Sequence, residues 1–136
     1  MNGEREPTQD VDDLARGVIG AAIEVHRELG PGFPETVYEA AVAVELDLRQ
    51  IPFVRQYAMK VPYKGVIVGE RRADFLVHER LIVEIKAVSA LAPVHEAQVI
   101  AYLKASGVSL GLLLNFNCAV LKDGIKRLVL TQRTGI

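Results

Sequence analysis

The segment VIVGERRADFLVHERLIVEIKAV, residues 66–88, constrains the fold more than any other part of the chain. Two apolar runs of strand length flank the polar triplet HER at residues 78–80, a pattern that is typical of an antiparallel hairpin with a short loop. A three-residue loop pairs Val77 with Leu81. The sequence therefore predicts a hairpin whose register is set by this triplet.

Charged residues lie inside this hairpin, where apolar ones are expected. Counting outward from the loop brings Asp74 opposite Glu84, and Lys86 shares a face with Glu84 because the two are separated by one residue. Directly opposed residues have Cβ atoms about 5 Å apart, so two carboxylates there repel unless a cation lies between them. Hard cations such as Mg²⁺ take oxygen ligands of this kind.

Two alternatives stay open on the residues alone. The charges of Asp74, Glu84 and Lys86 are also what a salt-bridge cluster on a solvated sheet face would contain. A two-residue loop would instead turn Asp74 to the opposite face from Glu84, because a shift of one residue reverses every side chain.

The rest of the chain predicts two helices before the hairpin and a helix and two strands after it. The apolar spacing predicts a first helix over residues 10–29, ended by Gly30, and a second over residues 35–49. The second helix is expected to bury an apolar stripe formed by Val37, Ala41, Val44 and Leu48.

Strand and helix signals continue in order along the chain. Residues 53–63 read as a strand that Pro62 confines to a sheet edge or a strand end. Residues 93–106 read as a helix, and an apolar run at 109–117 and a segment at 124–131 read as strands. The predicted fold class is α/β (α+β): a mixed central sheet flanked by helices, in the order α-α-β-β-β-α-β-β.

Length and composition place these elements in one domain. The chain has 136 residues, half of them hydrophobic, with a net charge of −1 and a single cysteine. We expect a polar N-terminal tail over residues 1–9 and one domain over residues 10–136. Nothing in the sequence has the length of a membrane span or the pattern of a signal peptide, so a soluble, cytoplasmic protein is expected.

Polar residues on two of the helices are further site candidates. Gln98 and Tyr102 are four residues apart and share a face of the helix that follows the hairpin. Glu35 and Glu39 are also four apart, on the second helix. Each pair also has a structural explanation, as part of the solvent-exposed face of an amphipathic helix. Glu35 can in addition interact with the dipole at the N-terminus of its helix.

Taken together, these stretches resemble a known family. GFPETVY, with Gly32, Glu35 and Tyr38, matches the pattern that names the GxxExxY proteins, a group within the PD-(D/E)XK nuclease-like superfamily. Similar flanking stretches are AAIEVHRELGPGF, YKGVIVGERRADFLV, LIVEIKAV, AQVIAYLKASG and GLLLNF. The resemblance extends from about Val18 to Leu130.

The resemblance implies a nuclease-like core and a divalent-metal site. The superfamily signature corresponds to Asp74, Glu84 and Lys86, and Gln98 with Tyr102 resembles a motif of its exonuclease branch. An acidic residue on a helix before the sheet often completes the site. Glu35 is the first choice for that position, with Glu39 and Glu24 as fallbacks.

These residues predict a Mg²⁺- or Mn²⁺-dependent nuclease that hydrolyses phosphodiester bonds, in DNA rather than RNA. Asp74 and Glu84, with Glu35, would hold the metal, and Lys86, Gln98 and Tyr102 would act on the phosphate and the attacking water. The alternative is a catalytically inactive nuclease-like domain that binds nucleic acid or protein. Because the chain is not basic overall, a homo-oligomer or a protein partner could contribute part of the binding to nucleic acid.

Overall fold

The computed structural model describes residues 7–130. Its elements follow the predicted order α-α-β-β-β-α-β-β, so the predicted fold class is confirmed. The tail predicted over residues 1–9 falls mostly outside the described residues, as does the end of the predicted last strand. The helices are α1 (Gln9–Leu29), α2 (Glu35–Leu48) and α3 (Pro93–Ser106), and the strands are β1 (Phe53–Tyr63), β2 (Val66–Val77), β3 (Leu81–Lys86), β4 (Leu110–Asn115) and β5 (Ile125–Val129), with a 3₁₀ helix at Leu121–Gly124.

Within the described residues, the strands form one mixed sheet in the order β1-β2-β3-β4-β5. The pairs β1–β2, β2–β3 and β4–β5 are antiparallel, whereas β3 and β4 are parallel and are joined through α3. Every residue of β4 is buried, as the continuous apolar run predicts for a strand covered on both faces. β1 is an edge strand, and its register shifts between Val61 and Pro62, as the proline leads one to expect.

Helices cover both faces of the sheet and divide the core in two. α1 and α2 pack on one face, where Phe75, Val83 and Ile85 belong to the larger cluster of buried side chains. α3 packs on the other face, against a smaller cluster that includes Ile82 and Leu113. The even-numbered residues of β3 therefore lie on the face that α3 covers, and Glu84 and Lys86 continue that row.

No helix in residues 7–130 is long and apolar enough to cross a membrane.

The predicted buried face of α2 is wrong. Val37, Val44 and Leu48, three of the four residues of the predicted stripe, are 36%, 59% and 73% exposed. The helix instead buries Tyr38, Glu39, Val42, Ala43 and Leu46. Both faces of α2 are apolar at helical spacing, so the periodicity of the sequence does not distinguish them.

The hairpin of β1 and β2 bends at one row. Arg55 pairs with Phe75 and Tyr57 pairs with Ala73, but Gln56 between them makes no ladder pair and has φ = +51°. On the side of this row next to the β2–β3 loop, Phe75 packs in the α1–α2 core. Beyond it, Tyr57 and Ala73 pack against the α3 side. The change of face at Gln56 turns the far part of the hairpin over α3.

Candidate active site

The two hairpin carboxylates interlock at the row where the β2–β3 ladder ends. Val77 pairs with Leu81, so the three-residue loop is confirmed, and the last ladder pair is Phe75 with Val83. In the next row, side chains replace backbone carbonyls as hydrogen-bond acceptors. The backbone N–H of Asp74 donates to Glu84 Oε1 at 3.0 Å.

The return contact runs from the other strand. The backbone N–H of Ile85 donates to Asp74 Oδ2 at 2.8 Å. Asp74 and Glu84 expose only 8% and 5% of their surface, which excludes a solvated salt-bridge cluster. One oxygen of each carboxylate is thus held by the neighbouring strand, and the other oxygen remains available to a ligand.

Burial raises the pKa of both carboxyl groups. For Asp74, loss of hydration has the largest effect, opposed by the hydrogen bond from Ile85 and reinforced by the charges of Glu39 and Glu35. For Glu84, loss of hydration again comes first and the charge of Asp74 second, so its pKa also lies well above the ordinary carboxyl value. Two buried carboxylates that repel each other can both ionise only if a positive charge lies beside them.

Lys86 supplies part of that charge. Its Nζ lies 3.9 Å from Glu84 Oε2, and its side chain is only 14% exposed, so the ammonium is confined beside the carboxylates. The charge of Lys86 lowers the pKa of Asp74 and of Glu84, but burial outweighs it in both. The predicted grouping of Asp74, Glu84 and Lys86 on one sheet face therefore appears in the structure as a single cluster.

The first turn of α2 brings Glu35 towards this cluster. The negative charge of Glu35 raises the pKa of both Asp74 and Glu84. The three acids do not converge as a metal-binding group in residues 7–130, so the predicted third ligand, Glu35, is not part of a preformed site. Tyr38 anchors the helix start: its hydroxyl accepts the Phe33 N–H at 3.1 Å and donates to the Gly30 carbonyl. Tyr38, the last residue of the GxxExxY pattern, thus fixes the connection between α1 and α2 that precedes Glu35.

Glu39 lies one turn further along α2, and its carboxylate is already hydrogen-bonded to other side chains. Its Oε2 accepts Arg55 Nη2 at 3.2 Å and Gln56 Nε2 at 2.9 Å. Gln56 also approaches Asp74 Oδ1 at 3.4 Å, so this amide links the two acids. Glu24, the other fallback, pairs with Arg27 on α1.

Gln56 is a site residue that the sequence does not reveal. Its amide reaches Glu39 and Asp74 because the backbone takes a left-handed conformation in the middle of a strand. Such a conformation is uncommon for a residue with a side chain and is found at functional positions. A glutamine in an alternating strand carries no signal of it.

On α3, Tyr102 is influenced by the carboxylates, and Gln98 lies one turn earlier, beside Tyr102. Burial, followed by the charges of Glu84 and Asp74, raises the pKa of Tyr102 to about 12, so its hydroxyl stays protonated. Gln98 Oε1 is buried and accepts no hydrogen bond from any described residue. A buried acceptor without a donor is costly, and it is suited to a water molecule or a substrate hydroxyl.

The donor chemistry fits a hard divalent cation. Asp74 Oδ1 has only the long contact to Gln56, and Glu84 Oε2 has only Lys86 at 3.9 Å. Within residues 7–130, no three acidic, histidine or cysteine side chains converge as a ready-made metal cluster. A metal held here would take two carboxylates and complete its shell with water, as Mg²⁺ commonly does.

Comparison with known proteins adds a family relationship. A family model described as the PD-(D/E)XK nuclease superfamily matches residues 12–128, which is most of the chain. None of the curated proteins matches the sequence. Among solved structures, the crystal structure of SSO0001 is 14% identical, with 96% of this chain and 71% of that chain covered, at a TM-score of 0.42.

Proposed function

Since the chain belongs to the PD-(D/E)XK nuclease superfamily, we propose that it is a divalent-metal-dependent nuclease that hydrolyses phosphodiester bonds, with DNA as substrate. The interlocked carboxylates of Asp74 and Glu84 beside Lys86 carry this proposal. Membership of the GxxExxY group, through Gly32, Glu35 and Tyr38, is part of it.

Asp74 and Glu84 would hold Mg²⁺ or Mn²⁺ through the oxygens that the strands leave open, and Glu35 would contribute through a coordinated water. When bound, such a cation polarises a phosphoryl oxygen and lowers the pKa of water. The reciprocal hydrogen bonds fix both carboxylates before any ligand arrives, so little side-chain freedom is lost on binding.

The remaining residues act on the phosphate and the attacking water. Lys86 carries its charge next to Glu84, where it stabilises negative charge that develops on the phosphoryl oxygens. Tyr102 keeps its proton and donates it in a hydrogen bond to a phosphate oxygen or a water. The free Gln98 oxygen accepts a hydrogen bond from that water and so orients it.

Metal-dependent stabilisation tests the site. Mg²⁺ or Mn²⁺ at 100 times its dissociation constant should stabilise the wild-type protein by about 2.7 kcal/mol. Glu84→Gln keeps the acceptor for the Asp74 N–H but lacks the charge, so the stabilisation should vanish, whereas Glu79→Gln in the β2–β3 loop should retain it. Equal responses of Glu84→Gln and the wild type would falsify the metal site.

A catalytically silent nuclease-like domain that binds nucleic acid or protein is the second candidate. The engagement of Glu39 by Arg55 and Gln56 favours it, because that carboxylate is removed from the metal. Cleavage of linear duplex, circular and single-stranded DNA with Mn²⁺ separates the two. Activity in the wild type that Lys86→Ala abolishes supports the enzyme, and equal inertness of both proteins supports the silent domain.

A further inference from the structure

The part of the hairpin beyond the Gln56 row, residues 57–72, stands free of the sheet; we call it the distal ribbon. β2 pairs with β3 only from Phe75 to Val77, so among the described residues the distal ribbon has no third strand. Most of its side chains are exposed, and Met59 is the buried exception. Its base packs on the α3 side and its end projects into solvent.

Positive charge is concentrated on this ribbon. It carries Lys60, Lys64, Arg71 and Arg72 against one acid, Glu70, a net +3 in a chain whose net charge is −1. The remainder of the molecule is therefore acidic. A basic arm on an acidic body directs a polyanion to the arm and away from the rest of the surface.

The basic residues lie on both faces of the ribbon. Arg71 is paired with the buried Met59 and so shares its face, which is the one turned towards α3. Arg71 is three residues before Asp74 on β2, which is about 10 Å along the strand, and its charge lowers the pKa of Tyr102. Lys60 pairs with Glu70 on the opposite face, and Arg72 is beside them. A protein partner would cover one face, whereas a nucleic-acid groove presents phosphates on both sides of an inserted ribbon.

The end of the ribbon is apolar. Four apolar residues here are between 54% and 63% exposed: Tyr63, Val66, Ile67 and Val68. The turn has φ of +49° at Lys64 and +83° at Gly65, the left-handed pair that suits a tight two-residue hairpin turn. Apolar side chains at the end of a basic arm can contact thymine methyl groups or insert between base steps.

We propose that the distal ribbon is a binding arm for double-stranded DNA, which it enters through a groove. Lys60, Lys64, Arg71 and Arg72 contact the flanking phosphates, and the apolar end contacts the bases. A two-stranded ribbon fits the major groove, which is about 12 Å wide. The inference rests on the proposed function in one respect: Arg71 leads the bound strand towards Asp74 and Glu84.

Binding of a fluorescently labelled duplex, measured by anisotropy in EDTA, tests the arm without cleavage. Replacing the four basic ribbon residues by glutamine should weaken binding about 100-fold at low salt and reduce the slope of log K against log salt by about 3 to 4. The matched control replaces Arg27, Lys104, Lys122 and Lys126, which carry the same charge outside the ribbon. It should lower the affinity far less.

A second pair of measurements separates the groove from simple charge attraction. Ile67→Ser with Val68→Ser should weaken duplex binding about tenfold and leave the salt slope unchanged, because no phosphate contact is lost. A single strand of the same length should bind more weakly than the duplex. Thermal unfolding of every variant checks that the fold is intact.

Three results would overturn the proposal that the distal ribbon binds duplex DNA. The first is an equal loss of duplex affinity in the ribbon and control variants, and the second is equal affinity for single-stranded and duplex DNA. The third is that the ribbon variants change the oligomeric mass and leave DNA binding unchanged. The proposed nuclease site is tested separately by its response to metal. If Mg²⁺ still stabilises the protein but duplex DNA does not bind, only the proposal for the ribbon is refuted. Duplex binding that survives in Glu84→Gln, which no longer responds to metal, is the result expected if both are correct.

Discussion

Asp74 and Glu84 each use one carboxylate oxygen to accept a backbone N–H of the strand that carries the other acid. The two side chains therefore extend the β2–β3 ladder by one row in place of backbone carbonyls. The acids are consequently part of the hydrogen bonding that holds the hairpin, so substitutions at these positions affect stability as well as chemistry.

Substitutions at Asp74 should separate these two roles. Asp74→Ala leaves the buried Ile85 N–H without its acceptor, at a cost of about 1 to 3 kcal/mol. Asp74→Asn retains an amide oxygen that can accept it. Both remove the charge, so their difference in unfolding free energy, measured in urea, isolates the hydrogen bond. Equal stability of the two variants would contradict the ladder role.

The metal-free protein should lose stability as pH rises above the ordinary carboxyl pKa. Asp74 and Glu84 have raised pKa values in the folded state, so between the unfolded and the folded pKa the folded protein binds more protons. Stability is then greatest at acid pH and falls by up to about 1.4 kcal/mol per pH unit for each excess proton. Urea unfolding at a series of pH values measures this slope.

Glu84→Gln provides the control for the pH series. It cannot ionise, so the part of the decrease in stability that comes from Glu84 should disappear and the slope should become shallower. An unchanged slope would assign the pH dependence to other groups.

Two leucines of α2 test which face of that helix is buried. Leu46 is fully buried and Leu48 is 73% exposed. Leu46→Ala should destabilise the protein by about 2 to 5 kcal/mol, and Leu48→Ala by less than about 0.5 kcal/mol. Chemical denaturation of both variants measures the difference, and a larger effect at Leu48 would restore the face that the sequence predicts.

A glycine in β4 controls how closely α3 approaches the sheet. A Cβ added at Gly111 would lie 2.7 Å from Val99 Cγ1, so Gly111→Ala should cost about 1 to 3 kcal/mol by overpacking. Gly69→Ala, also in a strand, meets nothing within 4 Å and serves as its control. Thermal unfolding should show a lower midpoint for the first and little change for the second.

The sequence predicts the hairpin well because a strand repeats every two residues and a one-residue error would reverse every side chain. The grouping of Asp74, Glu84 and Lys86 follows directly from that register. The buried face of α2 does not follow, because Val44 and Leu48 continue an apolar stripe as regular as the one containing Val42.

Gln56 could not be predicted for a different reason. Its left-handed backbone and its two amide contacts depend on where Glu39 and Asp74 lie in three dimensions. Local propensity gives a glutamine in a strand no reason to adopt that conformation. The bend at this residue, and the projection of the distal ribbon that results from it, are therefore visible only in the structure.

The parallel pairing of β3 with β4 has a consequence for how the protein acquires its chemistry during folding. Glu84 and Lys86 lie on β3, and Gln98 and Tyr102 lie on α3, the crossover helix that connects β3 to β4. The hairpin with its two acids forms from local contacts, whereas the crossover closes over a long span and is slower. A nascent chain would therefore have its acidic pair before it has the tyrosine and the amide that face it.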